Sequence, residues 1–204
     1  DFHLPMGSLF RHFIPEISQN DKADAFLVPD PVRVNFWRER LNSLGNGPYI
    51  GISWKSPVME PARLPNYTRI SDWVPVLALH NVTFINLQSS DFAVDLAAIH
   101  NEFGVTVHNF DDLDHYDNLD DVAALSAALD IVVSVATAAA TITAGVGTLT
   151  KLATWRQSSW NNILYSPPGP LVDIFERNTW EPWDIVFRSI AESIMDFKTM
   201  KESN

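Results

Sequence analysis

Residues 130–147 read DIVVSVATAAATITAGVG, and this stretch decides the fold. Positions 131 to 150 form a twenty-residue run without a charge, the length a membrane-spanning helix requires. Ser134, Thr137, Thr141, Thr143, Thr148 and Thr150 keep its hydropathy modest, however, and the composition changes partway. Val-rich IVVSV gives way to Ala/Thr-rich TAAATITAG, which reads as a strand buried on both faces turning into a helix. A strand of that kind belongs in a parallel sheet, and parallel strands need crossover connections.

The flanking sequence supplies them. Short apolar runs bounded by turn residues recur at 49–54 (YIGISW), 83–88 (TFINLQ), 105–110 (VTVHNF), 130–135 (DIVVSV) and 171–176 (LVDIFE), with 151–154 a weaker sixth. Between the first four lie helix-length segments: 70–80 after Thr68, 92–103 with Ala, Leu and Ile at helical spacing, and 121–128 capped by Asp120. Pro182 opens an amphipathic closing helix over 183–200. The rhythm predicts an α/β domain, a doubly wound, mostly parallel sheet of about six strands with helices on both faces, over 49–204. Residues 1–48 read as an irregular connector, because Pro5, Pro15, Pro29 and Pro31 break any long element and NGP at 46–48 turns into the first strand. At 204 residues and 46% apolar content the chain suits one ordinary domain with an extension, and excludes whole-chain disorder. Starting at Asp1, it reads as an internal piece and not as a secreted precursor.

The formal charge of −11 argues against nucleic-acid polymers as partners, and the absence of cysteine excludes disulfides, thiolate metal sites and a thiol nucleophile. The charge is uneven: residues 111–130 carry seven aspartates and no Lys or Arg, so the rest of the chain sums to only −4. That cluster, through His108, Asp112, Asp114 and His115, invites a metal reading; as an EF-hand loop it lacks the required Gly and Glu, and no metal is expected. Helix-start and loop carboxylates account for it instead. Neither a G-x-G-x-x-G turn after a strand nor a phosphate loop is present, and no G-x-S-x-G elbow points to a hydrolase. His3, His12, His80 and His100 show no partner cluster, and Trp37, Trp73, Trp155, Trp160, Trp180 and Trp183 read as packing residues.

In an open parallel sheet, ligands sit beyond the strands' carboxyl ends where the strand order reverses. The residues just past the first and fourth strands are therefore the candidates: Ser53, Trp54, Lys55, Ser56, and Ala136, Thr137, Ala138. A helix starting at Thr137 aims its first N–H groups at the crevice, and the small side chains there let an anion approach. Lys55 would add a cation, Ser53, Ser56 and Thr137 hydroxyls, and Trp54 a ring to flank a base or sugar. The plainer alternative is that Thr137 only caps its helix and Lys55 is a solvated loop lysine.

Taken in order, LPMGSLFRHF, VRVNFWRERL, IGISWKS, LPNYTRISDWVPVL, FINLQSSD, FDDLDHYDNLDDVAALSAALDIVVSVATAAATITAGVG, WRQSSW and IFERNTWEPWDIVFRSIAESI resemble the C-terminal half of bacterial glycosyltransferase-like proteins that follow tetratricopeptide repeats. Those are similar to the ADP-heptose heptosyltransferases of the GT-B fold, and the likeness spans about residues 4–194. The resemblance implies a cytoplasmic, Rossmann-like half that binds a nucleotide-diphospho-sugar donor as substrate, with no cofactor, facing an N-terminal acceptor or repeat domain across the connector. It implies phosphate contacts from Lys55, Ser53, Ser56, Thr137 and Ala138, and nucleotide or sugar contacts from Trp54, Gln88, Asp111, Asp112 and Thr141. Two positions depart from the relatives: Ala136 stands where they carry an acid and Thr141 where they carry a histidine. The catalytic residues therefore stay unassigned. A donor-binding half and a non-catalytic interaction module of the same fold are both open, and an exposed connector would favour self-association.

Overall fold

The structure, a computed structural model, describes residues 25–56, 67–90, 92–156, 171–178 and 181–202. The readings placed on residues 1–24, including His3 and His12, and on Trp160 and Trp180 lie outside the described residues.

Six strands form one sheet in which every pairing is parallel: β1 (Tyr49–Ser53), β2 (Thr83–Asn86), β3 (Val107–His108), β4 (Ile131–Val135), β5 (Leu149–Trp155) and β6 (Val172–Arg177), in the order β3-β2-β1-β4-β5-β6. The helices are α1 (Pro31–Leu44), α2 (Val74–Leu77, continuing a 3-10 turn over Ile70–Trp73), α3 (Phe92–Phe103), α4 (Leu119–Ala128), α5 (Ala138–Gly145) and α6 (Trp183–Glu202). This is the expected doubly wound, Rossmann-like arrangement. Alternation along the strands divides the core. Ile50, Ile52, Phe84, Ile131, Val133 and Val135 face one side with Trp73, Ile99 and the Val186, Phe187, Ile190 and Ile194 stripe of α6, while Ile85 and Val132 face the other with α1 and α4. IVVSV is buried at every position, as its continuous apolar character requires.

Gly51 is glycine because of close approach: a Cβ there would come within 2.7 Å of both Leu87 Cδ1 and Leu129 Cδ1. At the end of α5, Gly145 O accepts from the backbone N–H groups of Phe26 and Leu27 at 2.9 Å, and a Cβ on Gly145 would meet the Leu27 and Phe26 side chains within 3 Å. The positive φ that releases the chain after this helix belongs to Gly147.

The connector departs from expectation. Pro31 does not break an element but starts one: Asp30 accepts from Val32 N at 2.8 Å as N-cap, and proline at the first helical position forfeits no intrahelical bond. Val34, Trp37 and Leu41 of α1 are buried against Val122 and Leu125 of α4. Arg40 fixes the helix further, bidentate to Asp112 at 2.6 and 2.8 Å and stacked over Trp37 and Phe110. Two smaller differences concern ends. α4 begins at Leu119 with Asn118 as its cap, so Asp120 and Asp121 lie in the first turn, where the helix dipole favours carboxylates. β5 runs seven residues because Lys151, buried within it, directs its ammonium to Asp173 and Ser193 at 2.5 and 2.7 Å. The charge is what leaves 151–154 the weakest of the six strand signals, and the strand extends beyond that run at both ends.

If α1 belongs to the folding unit, Trp37→Ala lowers unfolding free energy by about 3 kcal/mol, the usual cost of truncating a buried tryptophan. Urea denaturation of the 204-residue chain reads this; a loss below about 1 kcal/mol would show that α1 is only loosely applied.

Candidate functional site

β1 and β4 are neighbours although five elements separate them, and the chain winds away from this pair in opposite directions, so the crevice opens past Ser53 and Val135. Three hydroxyls meet there: Thr137 Oγ1 lies 3.3 Å from Ser53 Oγ and 3.1 Å from Ser134 Oγ, and Ser134 in turn donates to Val135 O at 2.7 Å. Thr137 is the N-cap of α5, yet it makes no side-chain cap hydrogen bond, because its hydroxyl is turned down into that cluster. The first-turn N–H groups of Ala138, Ala139 and Ala140 have no intrahelical acceptor by construction. Ala138 is exposed.

Gln88, just past β2, holds the other lip. Its Oε1 accepts from Trp54 N and Lys55 N, each at 3.1 Å, and its Nε2 donates to Lys55 O at 2.9 Å. Lys55 is thus fixed in backbone position. Its Nζ pairs with Asp95 Oδ2 of α3 at 2.6 Å, and the same oxygen accepts from Trp54 Nε1 at 2.8 Å.

The structure brings Ser53, Lys55, Gln88, Thr137 and Ala138 to one junction, with Ser56 following Lys55. Other candidates fall elsewhere or are occupied. Trp54 is 1% exposed, so its ring packs in the core and presents no face to a base. Gln88, also 1% exposed, spends its amide on the 54–55 backbone. Asp111 and Asp112 lie past β3, beyond β2 from the junction; Asp111 accepts from Asn109 and Asp112 binds Arg40, which holds its carboxyl below the usual carboxylate range. Thr141 sits a turn along α5 beside a cavity of about 670 Å³, lined also by Leu119, Ala123 and residues 26–30. Asp95 carried no sequence signal beyond its place in the first turn of a helix; only the fold brings it to Lys55.

The acidic cluster is spent on local structure. Asp114 Oδ1 accepts from Tyr116 N and Asp117 N, Asp121 binds Arg33 and Asn118, and Asp130 accepts from Tyr49 N. Among the described residues, no three metal-ligating side chains converge, and no helix is long and apolar enough to cross a membrane.

No family model matches the chain. Protein FlbA of Caulobacter vibrioides is 33% identical over 199 residues, covering 97% of this chain, and the chain spans about a third (33%) of that relative's length. Among solved structures, a family 9 glycosyl transferase from Veillonella parvula superposes at a TM-score of 0.64, with 10% identity over 86% of this chain and 53% of that one. The ADP-heptose lipopolysaccharide heptosyltransferase II of E. coli gives 0.58 at 14% identity over 83% and 54%, and E. coli heptosyltransferase WaaC with ADP gives 0.57 at 14% over 78% and 48%. The chain has a glycosyltransferase-like fold of the heptosyltransferase kind, taking in about half of each solved chain.

His115 adds a pH-dependent element beside this end of the sheet. It is 8% exposed, packed edge-on to Phe92, and among the described residues neither ring nitrogen has a hydrogen-bond partner. Burial, against a weaker pull from Asp114, pushes its pKa below the usual value. The unfolded chain therefore binds the proton first as pH falls. Stability is complete above about 6.5, the ordinary histidine value, and declines as pH drops from there toward the depressed folded value. His115→Leu is expected to flatten the stability profile between pH 7.5 and 5 and to add about 1 kcal/mol at neutral pH by removing two unsatisfied polar atoms. Urea titrations of both proteins check this; parallel profiles would contradict it.

Proposed function

We propose that the domain binds the nucleotide-diphospho-sugar donor of a GT-B-type glycosyltransferase. The observation that carries this reading is the start of α5: its own cap residue is turned away, its first turn is alanine, and it opens at the β1/β4 junction where Thr137 meets Ser53, two residues before Lys55. Backbone N–H groups, roughly half a positive charge and one lysine are a set suited to a diphosphate. Ser53, Ser56 and Thr137 supply further donors. In the transfer itself, these groups would stabilise charge gathering on the leaving diphosphate, and they gain strength as that charge grows. The base that activates the acceptor would come from a separate, acceptor-bearing domain, tetratricopeptide-repeat-associated in the related proteins and acting in the cytoplasm.

A second reading, a non-catalytic interaction module on the same fold, draws support from Ala136, where relatives carry an acid, and from the engagement of Lys55 by Asp95. The half-exposed Phe36 and the exposed Val32 on α1 would give such a module an apolar face for a partner or a second copy.

Isothermal titration with ADP-, UDP- and GDP-sugars separates the two. On the donor reading, at least one binds at micromolar to low millimolar Kd. Lys55→Ala then weakens it at least tenfold, the worth of a charge-assisted contact. Ala138→Glu abolishes binding without lowering Tm, since a carboxylate at a helix start suits the dipole while repelling phosphate. Binding unaffected by either substitution would place the ligand elsewhere, and no binding to any donor at millimolar concentration favours the module.

A further inference from the structure

We propose that Asp95 is a positioning residue that sets the specificity of this site: it serves as a built-in counter-anion to Lys55 and limits how strongly the crevice prefers a nucleoside diphosphate over the corresponding nucleotide sugar. The inference rests on the donor-site reading above and adds to it a residue and a selectivity.

Two donors converge on a single carboxylate oxygen, Lys55 Nζ at 2.6 Å and Trp54 Nε1 at 2.8 Å. This pair is more sheltered than a fully exposed surface ion pair. The Lys55 and Asp95 side chains are 29% and 25% exposed, and the indole that anchors the carboxylate is 1% exposed. Gln88 meanwhile clamps the lysine's backbone at both N and O. Lys55 is therefore held with its positive charge already opposed. The other described groups at the junction, Ser53, Ser134, Thr137 and the Gln88 amide, carry no charge. Among the described groups, an anion would thus meet the α5 terminus, neutral dipoles and a lysine whose charge is partly offset.

The chemistry of transfer gives that arrangement a consequence. A nucleotide sugar carries two negative charges on its diphosphate, and the nucleoside diphosphate left after transfer carries a third near neutral pH. An unopposed lysine would grip the more charged product more tightly and retard its release. A lysine shared with a carboxylate gains less from the third charge, because the attraction of the ammonium is offset by the repulsion of its partner at similar range. Asp95 thereby favours exchange of product for fresh donor.

Asparagine at position 95 keeps an oxygen to accept from Trp54 and Lys55 and removes only the charge; glutamate keeps the charge and alters the reach. Titration of the full 204-residue chain with ADP, ADP-glucose, UDP and UDP-glucose, at low and physiological salt, tests the assignment. Asp95→Asn is expected to tighten the diphosphate that binds about tenfold and its sugar ester about threefold, with steeper salt dependence. Asp95→Glu is expected to stay within about threefold of wild type. An Asp95→Asn protein that binds the diphosphate no tighter than wild type, or the two variants shifting alike, would overturn the role. Should Asp95→Asn fail to fold, Asp95→Ser, which also removes the charge while keeping an oxygen near Trp54, gives an independent reading: it is expected to tighten the diphosphate more than the sugar ester, whereas equal changes contradict the proposal. If neither wild type nor Asp95→Asn binds any of the four ligands at millimolar concentration, the donor-site reading itself fails and this inference with it. Binding by wild type with selectivity unmoved in the variants sinks this inference alone.

Discussion

The parallel pairing of β1 with β4 is the constraint on which the rest of the molecule depends. Register places Ile50 against Ile131, Gly51 against Val132, Ile52 against Val133 and Ser53 against Ser134. The first three rows bury the middle of both strands, and the missing Cβ at Gly51 leaves room for Leu87 and Leu129 where helix and loop press onto the sheet. The fourth row brings two serines side by side at the carboxyl end, where Thr137 joins them. Because successive connections lead away from this pair to opposite sheet edges, the gap between their end loops cannot be filled by a crossover helix.

Polar chemistry at that gap is divided between holding and presenting. Gln88, buried and amide-saturated, is a structural clamp: it converts the loop after β1 into a fixed shelf for Lys55. Trp54 does the same from below, its indole committed to Asp95. On the donor-binding reading, the described groups that would face a ligand are backbone N–H groups, hydroxyls and an ammonium whose charge is shared. Such a site would discriminate by geometry more than by bulk charge, which would reconcile an acidic chain with an anionic ligand. The aspartates of 111–130 bear on this little, since they cap turns, brace α1 and hold strand ends.

The sheet was legible because both faces of a central parallel strand must be apolar, and IVVSV has no other use. The helix over 92–103 and the start of α5 at Thr137 followed from periodicity and capping chemistry. Three features were missed or only partly legible, for physical reasons. α1 was hidden because proline reads as a breaker unless its position relative to Asp30 is known. β5 showed only as the weaker run 151–154, because Lys151 looks solvated until Asp173 and Ser193 arrive from distant sequence. The Asp95–Lys55 pair joins residues forty positions apart whose meeting depends on the β1–β2 register. Trp54 and Gln88 illustrate the converse: the sequence places them at the strand ends, and only the fold shows that both are buried, with the Gln88 amide bonded to the 54–55 backbone.

The central claim is that the amino terminus of α5, with Lys55, holds a diphosphate at the β1/β4 junction. Amide chemical-shift mapping of the isotopically labelled chain during titration with ADP or UDP addresses it most directly. The largest shifts are expected on the amides of Ala138, Ala139, Ala140 and Lys55, saturating together with a single Kd. Saturable shifts confined to the opposite end of the sheet, around Gly47, Tyr49 and Lys198, or no shifts at millimolar ligand, would contradict it.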